Sequence, residues 1–357
     1  MANIGTEAGN FFQTDQEIAK QKLKAEKYNY TLGDAVKLSS KGLDLIVVDT
    51  NYAYVAESGF IAKRINLKTK KTNKLFKGHT GPVTSLALSD NGSVLWTGSW
   101  DKTIKKWDTN TGECLLTLGG HTDFVKTILL VGDKLYSGSS DNHIFQWDIS
   151  VEKPICTNVF KGHSRPVESL TLSSDGCFLF SASTDLTIKK WDIEKKSCVH
   201  TFLGHETSIY CVKAGDDEIW TASADKSVRR WNTETGAVDT ILTHPDRVKS
   251  LVLAGPYIIT GASDDLIRVW DVASGKLEST IDGHFDEVSA LAAVGSTLYS
   301  VSLDCSLRRW SITASALKEY NDQLLNKEKK KKEEKKDSGL TEEEERELAE
   351  LMSDDDE

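Results

Sequence analysis

The chain has 357 residues, 39% of them apolar, and a formal net charge of −10. No apolar run approaches the roughly 20 residues of a bilayer span, and no charged, apolar and small-residue leader opens the sequence, so the expectation is a soluble protein of the cytoplasm, with the nucleus as a second compartment. Residues 327–357 hold −6 of the charge (seven Lys and one Arg against fourteen Asp and Glu), and the −4 left over the other 326 residues makes a near-neutral body without the concentrated basic surface that phosphate binding needs, which argues against nucleic acid as a partner.

In chain order, residues 14–29 predict a short helix opened by a capping box of Thr14 and Glu17, with Ile18, Leu23 and Tyr28 too sparse for a coiled coil. Residues 28–32 are a free strand candidate. Residues 43–76 then show four runs of strand rhythm, 44–48, 52–56, 61–66 and 73–76. From there the chain repeats. Each of six copies alternates apolar and polar residues in four short runs punctuated by Asx-Gly and Thr-Gly turns, as in residues 83–88, 94–98, 103–107 and 113–118. Each copy carries one His, one Ser or Thr, one Asp four residues after it and one Trp six residues further on. The sets are His79, Thr97, Asp101, Trp107; His121, Ser137, Asp141, Trp147; His163, Ser181, Asp185, Trp191; His205, Thr221, Asp225, Trp231; His244, Thr260, Asp264, Trp270; and His284, Ser300, Asp304, Trp310. The histidines are 42, 42, 42, 39 and 40 residues apart, a period that means one supersecondary unit stacked on itself.

A four-stranded meander cannot cover both its faces, so copies pack face to face and a ring leaves no open end. On the repeat spacing, residues 43–76 are a degenerate first copy, with Val55, Gly59 and Ile65 at the Ser/Thr, Asp and Trp positions. The last copy stops after its third strand near Thr313, and residues 28–32 are expected to supply the missing strand, so that deleting residues 1–33 would lower stability. Residues 316–325 are helix-like and lead into the Lys/Glu run 327–336, which reads as a nuclear-import signal or a charged linker. A second capping box, Thr341 and Glu344, accompanies an acidic amphipathic segment with Leu340, Leu348, Ala349, Leu351 and Met352. Thr341 and Ser353 sit among acids as sites for an acid-directed kinase. The six cysteines, Cys114, Cys156, Cys177, Cys198, Cys211 and Cys305, form no Cys-x-x-Cys pair and are read as small buried apolar side chains in a reducing compartment, so neither metal nor cofactor is expected.

Gly-His at 78/79, 120/121, 162/163, 204/205 and 283/284, with Trp-Asp at 107/108, 147/148, 191/192 and 270/271, resembles the WD40-repeat proteins, whose repeats are those of G-protein beta subunits. The chain departs from that pattern at Thr243 before His244, Asn232 after Trp231 and Ser311 after Trp310. The resemblance covers residues 28–313 and implies an all-β, seven-bladed propeller, with residues 1–27 as an N-terminal arm and 314–357 as a charged tail. It also implies that each His, Ser/Thr, Asp and Trp set is a buried hydrogen-bonded unit. Six identical His/Ser/Asp sets around a ring are structural pins rather than catalytic triads, and no enzyme is expected.

The resemblance places partner contacts on the narrower face, at the residue before each turn aspartate and at the third and fifth residues after each histidine. Trp100 stands where the other copies have Ser140, Thr184, Ala224, Ser263 and Leu303. Phe124 and Lys126 neighbour it, and Tyr210, Arg247 and Lys249 lie across the ring. Exposed aromatic and Arg residues at the centre of a face are typical interface hot spots. The expected function is a non-catalytic scaffold or adaptor, a monomeric propeller within a larger complex that binds other proteins or peptides. The alternatives are the substrate-recognition subunit of a ubiquitin ligase or kinase complex and a ribosome- or RNA-associated factor. The Arg or Lys that cullin-4 receptors of this family carry three residues after the tryptophan is replaced by Asn110, Ser150, Glu194, Glu234, Ala273 and Thr313.

Overall fold

The computed structural model describes residues 33–337. Within them, seven four-stranded antiparallel sheets form the blades of a β-propeller, and one helix, Ala314–Asp337, follows the last blade. Blade two shows the plan: Val83–Leu88 lines the centre, then come Val94–Ser99, Ile104–Asp108 and the outer strand Cys114–Leu118. The register pairs Leu86 with Thr97, Leu95 with Trp107 and Trp107 with Cys114. Bulges recur at the same two places in the repeats, between Val83 and Ser85 and between Lys106 and Trp107 in blade two, and they give the sheets a common twist.

The core lies between blades rather than within them. Tyr54, Ala56 and Phe76 of blade one pack on Val83, Leu86, Leu95 and Trp107 of blade two, and equivalent clusters fill the wedges that follow. One sequence signal for these wedges went unread: the residue before each Ser/Thr position is large and apolar, namely Tyr54, Trp96, Tyr136, Phe180, Trp220, Ile259 and Tyr299, and all seven are buried. Several of them carry a cation on the ring, as with Lys106 over Trp96 and Arg230 over Trp220. The turn after each aspartate is left-handed, with Leu186 at φ 72° and Cys305 at φ 62°. Side chains resist this conformation, and the preceding carboxylate accepts bonds that hold the turn closed.

Blade one lacks the recurring residues and solves the same problem differently. Its strands are Gly42–Val47, Tyr52–Glu57, Ile61–Asn66 and Lys71–Lys77, with Val55 and Ile65 buried where the other blades have Ser/Thr and Trp. In place of the polar set, the buried Glu57 carboxylate pairs with Lys63 at 2.6 Å and accepts bonds from Ser39 Oγ, Ser40 N and Ser40 Oγ.

Ring closure differs from the sequence expectation. The fourth strand of blade seven is Val36–Lys37, antiparallel to Ser306–Ser311, with Val36 opposite Leu307. Leu38 N donates to Cys305 O, Arg309 N donates to Gly33 O, and Asp34 pairs with Arg309 and Lys70. The segment proposed for this role, residues 28–32, lies outside the described residues, as do the helix expected at 14–29, Thr341 and Ser353. The closing segment is short, but its alternation is clear in retrospect: Leu38 is buried in the core with Val301 and Leu307, Val36 is half-buried against that cluster, and Lys37 between them faces out.

The C-terminal helix is continuous through both the apolar stretch and the Lys/Glu run. Thr313 caps it, accepting from Leu317 N through its carbonyl. Leu317 and Tyr320 pack with Trp310 and Ile281, while Ser279 Oγ donates to Leu317 O, Asn321 donates to Glu278 O and Lys327 pairs with Asp282, so the helix lies along the outer strand of blade six.

The cysteines are another correction. Cys114, Cys156, Cys177 and Cys198 are exposed, and Cys211 and Cys305 are partly so. Three of the exposed four occupy the outer-strand position opposite a tryptophan, at the bulge, where the side chain meets the rim instead of the neighbouring blade.

Candidate protein-binding face

Five of the six polar sets close in the same way. In blade five, Trp231 Nε1 donates to Thr221 Oγ1 at 2.8 Å, Thr221 lies 2.7 Å from His205 Nε2, and His205 Nδ1 lies 2.7 Å from Asp225. The proton order that satisfies every atom is indole N–H to hydroxyl, hydroxyl to Nε2, and Nδ1–H to carboxylate, which makes the imidazole neutral. The second carboxylate edge accepts the backbone N–H and hydroxyl of Ser227, and Ser223 Oγ ties the loop by donating to Ser208 O and accepting from Asp225 N. The same arrangement occurs at His79/Asp101, His163/Asp185 and His284/Asp304, and at His121/Asp141 with one donor fewer, since His143 has no hydroxyl and gives Asp141 its backbone N–H. Burial pushes these carboxyls up, but the donors outweigh it and hold Asp101, Asp141, Asp185, Asp225 and Asp304 below the ordinary range. The Ser and Thr oxygens are sealed in all six blades, so no substrate reaches them.

Blade six breaks the set. His244 Nε2 still meets Thr260 at 2.9 Å, but its Nδ1 turns to Leu242 O at 3.2 Å, and Asp264 pairs with Arg268 at 2.5 Å. Three substitutions explain this. Pro245 has no N–H where Thr80, Thr122, Ser164, Glu206 and Phe285 donate to their aspartates. Ala262 replaces the loop-tying serine, and Leu266 has no hydroxyl to offer. With two donors lost, Asp264 takes the guanidinium. The count of matching residue types in the sequence concealed this, although Pro245, Ala262 and Leu266 signal it.

His244 then bonds no carboxylate; burial, with Arg268 nearby, outweighs the Leu242 carbonyl and the more distant charge of Asp264 and pushes its pKa down to about 4. The unfolded histidine, with a pKa near ~6.5, takes up a proton that the folded one refuses, so this group costs stability as pH falls from ~6.5 toward ~4. Comparing urea midpoints of the wild type and His244→Gln at pH 7 and pH 5 should show the variant losing about 2 kcal/mol less over that interval. Equal losses would show that His244 protonates freely in the folded state.

The inner strands surround a central channel of about 550 Å³ whose lining includes Trp100, Lys126, Glu168, Tyr210, Lys249 and Glu287. At its mouth the Trp100 and Phe124 rings stack with centroids 4.9 Å apart and planes 13° apart, and 40% and 36% of their surfaces remain exposed. Lys126 lies 5.8 Å from the Trp100 ring centre and 3.4 Å from Glu168. Across the mouth, Lys249 Nζ sits 3.8 Å from the centre of the Tyr210 ring. Burial lowers the Lys249 pKa, partly offset by Glu287 and Glu168. Arg247 is exposed beside them. The six residues picked from the sequence therefore form two clusters on one mouth. What the sequence reading missed is that Glu168 and Glu287 offset the basic residues, which leaves the aromatic pair as the distinctive feature. Thr84 and Ser289, at equivalent positions, instead bond across blades to Val125 O and Gly42 O.

The WD40 family, described as the WD domain or G-beta repeat, matches residues 70–108, 112–148, 154–192, 196–232, 237–271 and 275–311. The chain belongs to this WD40 family. It is 34% identical over 329 residues to a WD repeat-containing protein of Schizosaccharomyces pombe, covering 86% of this chain and 89% of that protein. It is 30% identical over 288 residues to Cell division control protein 4 of Saccharomyces cerevisiae and 27% identical over 254 residues to Striatin-3 of Homo sapiens. Those two matches cover 78% and 66% of this chain but only 34% and 28% of the relatives. Among the described residues no helix is long and apolar enough to cross a membrane.

Proposed function

We propose that this protein is a non-catalytic scaffold that holds a partner protein at the mouth of its channel, in the cytoplasm and nucleus. WD-repeat proteins are in general protein-interaction scaffolds, and the relatives that share this repeat have varied roles. The observation that carries the reading is the stacked Trp100–Phe124 pair. Two large aromatic faces stay in water where the repeat needs no indole, and burying them against a partner recovers the hydrophobic free energy that the isolated propeller forgoes. Lys126, held near the Trp100 ring and by Glu168, orients a polar contact beside that platform.

Affinity purification with the wild type and Trp100→Ala tests the reading. The variant should lose its principal partner, consistent with a hot-spot cost of about 2 kcal/mol or more. Recovery of an identical set of partners in identical amounts would remove the mouth as the binding site.

A further inference from the structure

Blade one carries a charge that its counterparts do not. Residues 63–77, its third and fourth strands with the turn between them, hold six Lys and one Arg and no acid, for +7. The stretches placed equivalently by strand pairing are 105–119, 145–161, 189–203, 229–243 and 268–282, and they carry 0, 0, +2, 0 and −1.

Lysines on an outer strand ordinarily guard a free edge against pairing. That need is shared by the other blades, yet the outer strands Cys114–Leu118, Ile155–Phe160 and Ser197–Phe202 contain no Lys or Arg. Internal pairing does not account for the charge either. Lys63 is committed to Glu57 and Lys70 to Asp34, but Lys74 bonds the Thr111 carbonyl with Asp108 acting on it only through space, and Arg64 bonds the Asn73 amide oxygen and lies over the Tyr52 ring, so neither is held in a salt bridge. Arg64 and Lys74 are direct cross-strand partners, a placement that like charges disfavour. Lys68, Lys71 and Lys77 are exposed and form no salt bridge among the described residues, with Asp49 acting on Lys68 only through space, and Leu75 is exposed among them.

The opposite charge extreme of the chain is residues 338–357, with ten acids against Arg346, for −9, and with Leu340, Leu348, Leu351 and Met352 interspersed. This segment begins where the helix on blade six ends, and blade one is two blades away around the ring. Twenty residues reach up to ~66 Å when extended.

We infer that residues 338–357 dock in cis on the outer hairpin of blade one, with Lys68, Lys71, Lys74 and Lys77 receiving carboxylates and Leu75 an apolar side chain. Lysines are point charges on flexible stems, suited to a run of carboxylates without fixed geometry. The hairpin offers no exposed ring on which a base would stack, since its one aromatic residue, Phe76, is buried, and this favours an acidic peptide over single-stranded nucleic acid. Phosphate on Thr341 or Ser353 would add negative charge and tighten the contact.

Zero-length carbodiimide crosslinking of the full-length protein tests this, because it joins a lysine amine to a carboxylate already in contact. Mass spectrometry of the monomer band should find Lys68, Lys71, Lys74 or Lys77 joined to acids of residues 338–357. The yield should fall several-fold at about 0.5 M salt and in Lys71→Glu/Lys77→Glu, whose melting should match the wild type because both side chains are exposed. Three results would overturn the inference: crosslinks confined to lysines of the C-terminal helix; crosslinks found only in dimers; or a uridine 20-mer that binds the full chain, shields these lysines and binds the charge-reversal variant at least tenfold more weakly, which would make the strip a nucleic-acid site.

Discussion

Replacing Asp304 with alanine should destabilise the protein by about 4 kcal/mol, because it strips a buried carboxylate from several donors at once. Its side chain is fully buried, and it accepts from His284 Nδ1, Phe285 N, Ser306 N and Ser306 Oγ. The more informative form of the experiment is a pair of double-mutant cycles. His284 and Asp304 should show a coupling energy of about 2 kcal/mol, as expected for side chains in one hydrogen-bonded network. His244 and Asp264 should couple by roughly zero, since the histidine turns to Leu242 O and the aspartate to Arg268. Chemical denaturation of the two single variants and the double variant in each blade measures this. Equal coupling in both blades would mean that blade six closes like the others.

The second large effect concerns closure of the ring. A chain that begins at Ser39 loses Val36, Lys37 and Leu38, and with them the fourth strand of blade seven and the apolar contact between Leu38 and Leu45, Val301 and Leu307. Burial of Val36 and Leu38 together is worth about 4 kcal/mol, and the stripped edge of Ser306–Ser311 then invites association. A chain that begins at Gly33 retains all of these contacts and should melt with the wild type. Thermal melts of the two truncations separate this closure from one built on residues 28–32, which would make both truncations equally unstable.

The ring was legible because its residues recur: a period near 40 residues across six copies set the spacing and the stacking of one unit, and the resemblance to the WD40 repeat implied the burial of the polar sets. The degenerate blade was legible from strand rhythm alone, but its Glu57–Lys63 cluster was not, since nothing repeats it and Ser39 and Ser40 come from outside the blade. Closure by Val36–Lys37 was obscured by brevity, two paired residues being too few to establish a period. In blade six the four marker residues are all present and the bonding still changes, because bonding depends on the donors around Asp264, two of which are lost at Pro245 and Leu266, and on the serine tie that Ala262 lacks. On the mouth, position singled out Trp100 and Phe124. Their stacking, and the offset of Lys126 and Lys249 by Glu168 and Glu287, required side-chain geometry.

The central claim is that the repeats hold the ring and that binding resides where Trp100 departs from them. The most direct test is the Kd of a purified partner for Trp100→Ala, measured beside the melting temperature of the same variant. A Kd raised about tenfold or more with the melting temperature within about 2 °C of wild type is the predicted result, since an exposed hot spot contributes to binding and little to folding. An unchanged Kd would contradict it.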